Sequence, residues 1–349
     1  MQAEQHNPSV PVEDEKLQLE IISRLCHQTT PNSTGPSELH WVPYMLYYNT
    51  QYNTAIQTDK GVCTTVRKHA DIQFIAQHMH SSAPKAAIKS HIQPSMREFR
   101  TPEDVDTMLK SSVMLVARLL SMTDIGPLPY TRSGTHHSLT WTFPTSSLQD
   151  LLRSHFVPQN PAGFEQDSSD MLFGEDFTAY KLHRYCGVEI TWTSNLADHL
   201  HLSRGGKQLY IFHHASFLQW QDGVLPAGLA AETLDTLALL FPAIDAKTRE
   251  WVTHSPALAG VDMRILELVQ LRDCRGSDFR YWRKRLGALE RVFEAPHRGS
   301  IAQQWRDRRD KAQWYTFWVA MVILCLTVFF GVVQSVEGAL EVYKAYHST

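Results

Sequence analysis

Cysteine is scarce in this chain of 349 residues. There are five (Cys26, Cys63, Cys186, Cys274 and Cys325), scattered and with no C-x-x-C pair. That spacing excludes a disulfide framework and fits a reduced compartment. Residues 1–30 lack the apolar core of a secretory signal: Met1–Lys16 is polar, and Leu17, Leu19, Ile21, Ile22 and Leu25 are interspersed with charges. Gln2 stands where myristoylation requires glycine, and there is no prenylation box. The signatures of common enzymes are missing too. There is no G-x-S-x-G elbow, no G-x-G-x-x-G fingerprint, no kinase set and no H-E-x-x-H. No cofactor is expected on these grounds.

Charge is absent from one long stretch. Between Lys311 and Glu337 there is none, and 11 residues of Leu, Ile, Phe or Val lie between Phe317 and Val333. A bilayer core about 30 Å thick needs about 20 apolar helical residues, so this run is long enough to span it. A helix buried inside a soluble protein is the alternative, but such helices seldom lack polar residues on every side. The aromatic residues Trp314, Tyr315, Phe317 and Trp318 open the run, and Phe329 and Phe330 sit near its far end. Arg298, Arg306, Arg308, Arg309 and Lys311 precede it, whereas Lys344 alone follows. Basic residues stay on the cytoplasmic side, so residues 1–311 are expected in the cytosol. The reading is a tail anchor. Its weakly acidic tail (Glu337, Glu341, Lys344) favours the endoplasmic reticulum over the mitochondrial outer membrane.

The net charge of −3 is unevenly spread: Arg272–Lys311 carries +6 and the rest −9. A basic segment beside an anionic leaflet gains about 1 kcal/mol per nearby basic residue. Nucleic-acid binding is not expected, because the body is acidic and has no recognisable binding motif.

The fold expected is mainly α with minor β. It comprises an α+β cytosolic body, with winged-helix-like strand–helix units, and one C-terminal transmembrane helix. Residues 1–37 read as largely disordered with a short helix at 13–27, where Leu17, Ile21 and Leu25 repeat at steps of four. An α+β domain is expected over 38–227 and a helical segment over 228–299. A juxtamembrane and transmembrane helix follows over 300–336 (span about 314–334), then a tail over 337–349. Leu39–Thr65, rich in Tyr, Asn and Thr, is not assignable from its pattern. Helices are expected over Val66–His80, from Thr101-Pro102 to before Gly126, around Leu229–Phe241, over Met263–Arg272 and over Asp278–Glu294. Two units repeat a β-rich segment and a capped helix: Leu139–Thr142 before Leu148–Leu152, and Ile190–Thr193 before Leu196–Leu200. Gln208–His213 reads as a buried strand.

Several segments carry a resemblance. They are Trp314–Ala320, Phe330-Gly331 and Gln334–Tyr346, with Gly187–Leu200, Tyr210–Leu218, Glu232–Phe241 and Phe279–Phe293. Over about residues 105–346 the chain resembles a family of filamentous-fungal proteins that share this ending and have no assigned activity. The resemblance implies the membrane-anchored architecture and no catalytic residue.

Among the 18 histidines the densest group is Asp198, His199, His201, His213 and His214. Neighbours two apart on a helix or one apart on a strand point different ways. At most Asp198, His199 and His213 would therefore converge on a metal, and hydrogen-bonded histidines at a helix–strand junction are the plainer reading. His78/His80 and His136/His137 read as exposed turn or helix-end residues. Arg204-Gly205-Gly206-Lys207 lacks the preceding glycine and following Ser/Thr of a phosphate loop and reads as a helix cap and turn. The function expected is that of a single-pass membrane protein whose partners are the lipid bilayer and another protein, with a homo-oligomer compatible. The alternatives are an unrecognised membrane-anchored enzyme and a subunit of an oligomeric CorA-like channel. The latter is opposed by the single span, the missing Gly-Met-Asn tripeptide and the lack of ionisable residues in the span.

Overall fold

Tyr44, Tyr48 and Tyr52 stand four residues apart, so a helix places all three on one side. The computed structural model shows that helix, α1, over Val42–Ile56, with all three rings fully buried. It describes residues 21–23, 25, 41–56, 64–66, 68–93, 102–127, 137–159, 172–174, 176–203, 205–221, 223–255, 260–269, 274–294 and 311–347. Two compact units divide the chain, residues 1–295 and 296–349. The expected segments 38–227 and 228–299 both fall in the first unit, apart from its last residues. As expected, the architecture is mainly helical with a small sheet and one apolar C-terminal helix.

In the first unit, α1, α2 (His69–His80) and α3 (Lys85–Ile92) pack against α4 (Pro102–Ser121). Its buried residues Leu109, Val113, Val116 and Leu120 recur at helical steps. The last carbonyls of a helix lack intrahelical partners. Here the hydroxyls of Tyr44 and Tyr47 donate to Leu119 O (2.9 Å) and Arg118 O (3.2 Å), so α1 closes the end of α4. Ser112 ties residues 64–66 to the same helix, accepting the Thr65 N–H at 2.8 Å.

Next comes α5 (Leu148–His155), capped by Ser147, whose hydroxyl accepts the Asp150 N–H. β1 (Leu172–Phe173), α6 (Ala179–Cys186), β2 (Glu189–Thr193), β3 (His201–Ser203) and β4 (Gln208–Phe212) follow. The three-stranded sheet has the order β2-β4-β3, with β2 parallel and β3 antiparallel to β4. All five residues of β4 are buried, as a central strand covered on both faces requires. Then come α7 (Ala215–Trp220), α8 (Leu229–Leu240), α9 (Ala246–Thr253), β5 (Cys274–Arg275), which pairs antiparallel with β1, and α10 (Arg283–Glu294). The second unit contains α11 (Lys311–His347).

Several local expectations need correction, each for a reason visible in the hydrogen bonds. Leu139–Thr142 is no strand: Leu139 alone bridges Ile125, while Trp141 O accepts the Lys85 ammonium at 2.7 Å. The helix after Thr193 lasts one 3-10 turn, Leu196–Asp198. Leu200 then takes φ 57° and donates its N–H to Tyr210 O, which draws the chain into β3. With no full helix between the strands, the winged-helix resemblance does not hold there. Gly205 and Gly206, at φ 66° and 84°, make the β3–β4 hairpin turn and cap no helix. Of the helix expected over Met263–Arg272, the described residues form only a 3-10 turn at Met263–Leu266, and 270–272 lie outside them. α10 starts five residues later than expected, because the N–H groups of Tyr281 and Trp282 donate to the Glu232 carboxylate at 2.7 and 2.8 Å. The helix expected at 13–27 lies mostly outside the described residues, although Ile21, Ile22 and Leu25 are buried. Most of the terminus expected to be disordered, and the expected juxtamembrane start of the last helix at 300–310, lie outside them too.

Candidate functional site

Two places hold the residues singled out from sequence. The first is α11. Its segment Tyr315–Leu340, 26 residues whose most apolar 18-residue window has mean hydropathy 2.5, is long and apolar enough to cross a bilayer, and it is the one such helix among the described residues. At about 1.5 Å rise per residue it reaches about 39 Å. Tyr315, Phe329 and Phe330 are exposed, whereas Phe317 and Trp318 are half-buried. Its two interior hydroxyls bond within the helix, Thr327 to Ile323 O (2.8 Å) and Ser335 to Gly331 O (2.9 Å). Neither therefore faces hydrocarbon unpaired. Lys311 and Trp314 lie in its first turn; Arg306, Arg308 and Arg309 lie outside the described residues.

The second place is built around Asp198, which closes the 3-10 turn after β2 and is fully buried. A buried carboxylate is costly unless its oxygens accept hydrogen bonds. Oδ1 accepts from the backbone N–H of His137 at 2.9 Å and from its Nδ1 at 2.7 Å. Oδ2 accepts from Asn195 Nδ2 at 2.9 Å. Asn195 also donates to His137 O (2.9 Å), and its Oδ1 accepts the N–H groups of Asp124 (3.0 Å) and Ala197 (3.2 Å). This network fastens the chain at 137 and at 124 to the start of the sheet. It also places a proton on His137 Nδ1, in a ring about two-fifths exposed. The His201 ring meets it edge-on, 4.6 Å between centroids. Such a carboxylate–imidazole pair is able to hold a histidine as proton acceptor.

The three metal candidates do not converge. His199 is fully buried: its Nδ1 accepts the Phe212 N–H (3.2 Å) and its Nε2 donates to Thr236 Oγ1 (2.8 Å), so both nitrogens are engaged. Thr236 in turn donates to Thr233 O at 2.7 Å. His213 Nδ1 instead accepts the Asp262 N–H at 3.3 Å. Among the described residues no group of three His, Cys, Asp or Glu side chains is placed to hold a metal ion. The His213 and His214 rings pack at a tilt of 32°, 3.9 Å between centroids, and His214 Nε2 lies 2.9 Å from Ser194 Oγ. Burial lowers the pKa of His199 and His214 well below the ordinary value and that of His213 to about 4. All three are neutral core groups.

Sequence reasoning missed His137 as the partner of Asp198 and gave Arg285 no role. Arg285, on α10, donates through Nη1 to Ala197 O at 2.8 Å and to His199 O, with its guanidinium over the Trp282 ring at 5.2 Å. No local spacing signals pairs 61, 86 or 88 residues apart. No known protein family, curated protein or solved structure matches this chain.

Proposed function

We propose that this is a single-pass membrane protein held in the bilayer by α11, with residues 1–311 in the cytosol and the first unit serving as a docking module for a protein partner. The observation that carries the reading is α11 itself: Tyr315–Leu340 exposes apolar side chains along its length, and its most apolar 18-residue window holds no buried residue. A surface of that kind needs lipid around it. The five basic residues before the span, against Lys344 after it, support the orientation. The slight acidity after the span supports the endoplasmic reticulum.

Removal of residues 312–349 should release the protein from membranes. A truncated chain that still resisted carbonate extraction would show a second attachment and overturn the assignment. Orientation is tested by Asn32-Ser33-Thr34, the chain's own glycosylation sequon. Asn32 should stay bare while a sequon appended after Thr349 gains a glycan; a glycan on Asn32 reverses the topology. Proximity labelling from the first unit should mark cytosolic-face proteins, and lumenal ones would contradict the proposal.

A further inference from the structure

We propose that the first unit binds a small organic anion with a flat ring, in the cavity between residues 155–159 and the start of α10. The cavity is about 620 Å³ and is lined chiefly by His155, Phe156, Gln159, Trp282, Lys284 and Arg285. That volume lies within the range of small-ligand sites, about 300–1,000 Å³.

Its walls are fixed by bonds that span the chain. Gln159 donates its N–H to Arg280 O at 2.8 Å, and its Oε1 accepts the Lys284 N–H at 3.1 Å. Glu232 anchors Tyr281 and Trp282 from behind. Trp282 is buried, with its indole N–H donating to Thr233 Oγ1 at 2.9 Å. Phe156 meets the Trp282 ring edge-on at 6.0 Å. These rings offer a rigid apolar wall.

The charge is set differently. Arg285 is half-buried and pinned by two carbonyls through Nη1. Its Nε and Nη2 make no hydrogen bond, and no carboxylate ion-pairs with it, among the described residues. Asp198, the acid whose field reaches it, gives its oxygens to His137 and Asn195. A partly desolvated cation with no direct ion pair among the described residues is costly, and an anion in the cavity offsets that cost. A planar guanidinium presents parallel N–H groups that match a carboxylate or phosphate. Lys284 and His155 stand at the rim, and among the described residues no acidic one lines the cavity. An aromatic wall beside a fixed guanidinium selects an aryl carboxylate or aryl phosphate over a bare inorganic anion. The assignment is independent of the membrane proposal.

The test is calorimetric titration of the full-length protein in detergent micelles with phenyl phosphate, inorganic phosphate and benzyl alcohol. Phenyl phosphate should bind saturably at one site, at least about tenfold more tightly than either comparison compound. Arg285→Lys should weaken it about tenfold or more, since a hydrogen bond to a charged group contributes about that much. Should that variant lose the fold, Lys284→Gln decides, because its side chain is exposed; a loss of about threefold or more is expected. Unsaturable binding, phosphate binding as tight as phenyl phosphate, or unchanged affinity in the folded variants would overturn the proposal.

Discussion

Acidification should destabilise the first unit through its buried histidines, and for His213 the effect can be sized. Its ring is buried between His214 and Trp192 and accepts the Asp262 N–H. Burial holds its pKa at about 4, against about 6.5 in an unfolded chain. In the native state the ring stays neutral, while the unfolded chain binds a proton once the pH drops below about 6.5. The contribution is therefore fully present above pH 6.5 and is lost as pH falls towards 4. The whole difference corresponds to about 3 kcal/mol, of which about 2 kcal/mol is gone by pH 5. Against a typical stability of about 5–15 kcal/mol that is a large share. His199 and His214 act in the same sense, lowered first by burial and then by Arg285 and His213 respectively. Glu232 and Glu290, raised by burial, act in the opposite sense. Asp106, held at about 2 mainly by hydrogen bonds from Lys110 and Lys89, matters only below this window. The assay is urea unfolding of the full-length protein in micelles, followed by tryptophan fluorescence from pH 7.5 to 5. His213→Asn keeps an acceptor for the Asp262 N–H but does not titrate. Its stability should fall less with acidification than the wild type's, by about 2 kcal/mol at pH 5. Parallel curves for the two proteins would refute the reasoning.

Asp198→Asn should cost about 2 kcal/mol or more in urea unfolding, because an NH2 group then faces donors from His137 or Asn195; His137→Gln, at a part-exposed ring, should cost less. Glu232→Ala leaves the N–H groups of Tyr281 and Trp282 without their acceptor and should cost about 1–3 kcal/mol. Hydrogen exchange at residues 281–284 should quicken in that variant. Ile211→Ala empties a fully buried site on the central strand, and a loss of about 2–5 kcal/mol in the same assay is expected.

What was legible in the sequence is what depends on neighbours within a turn or two. The threonine–proline start and apolar steps of α4, the Leu229–Leu240 face of α8 and the uncharged run of α11 are all local patterns, and each appears as a helix. α1 has the same four-residue step in Tyr44, Tyr48 and Tyr52, but aromatic residues favour strands as readily as helices. Its helical state depends on tertiary partners: the Tyr44 and Tyr47 hydroxyls reach carbonyls of α4 more than 70 residues away.

The Asp198 network lies beyond such reading for the same reason. Its spacing in sequence, Asp198-His199-Leu200-His201, looks like a shared site, yet the fold sends each side chain elsewhere. Asp198 turns to His137, His199 to Thr236 and the Phe212 N–H, and His201 sets its half-buried ring edge-on to that of His137. The switch comes at Leu200, whose left-handed backbone ends the 3-10 turn and starts the strand within one residue. A composition rich in histidine thus marks where polar groups hold the sheet to the helices around it. Among the described residues around this network, a guanidinium with donors unspent is that of Arg285, which no histidine count would find. It is the burial of that guanidinium beside an aromatic wall, and not the number of imidazoles nearby, that directs the search for a ligand to the cavity at the start of α10.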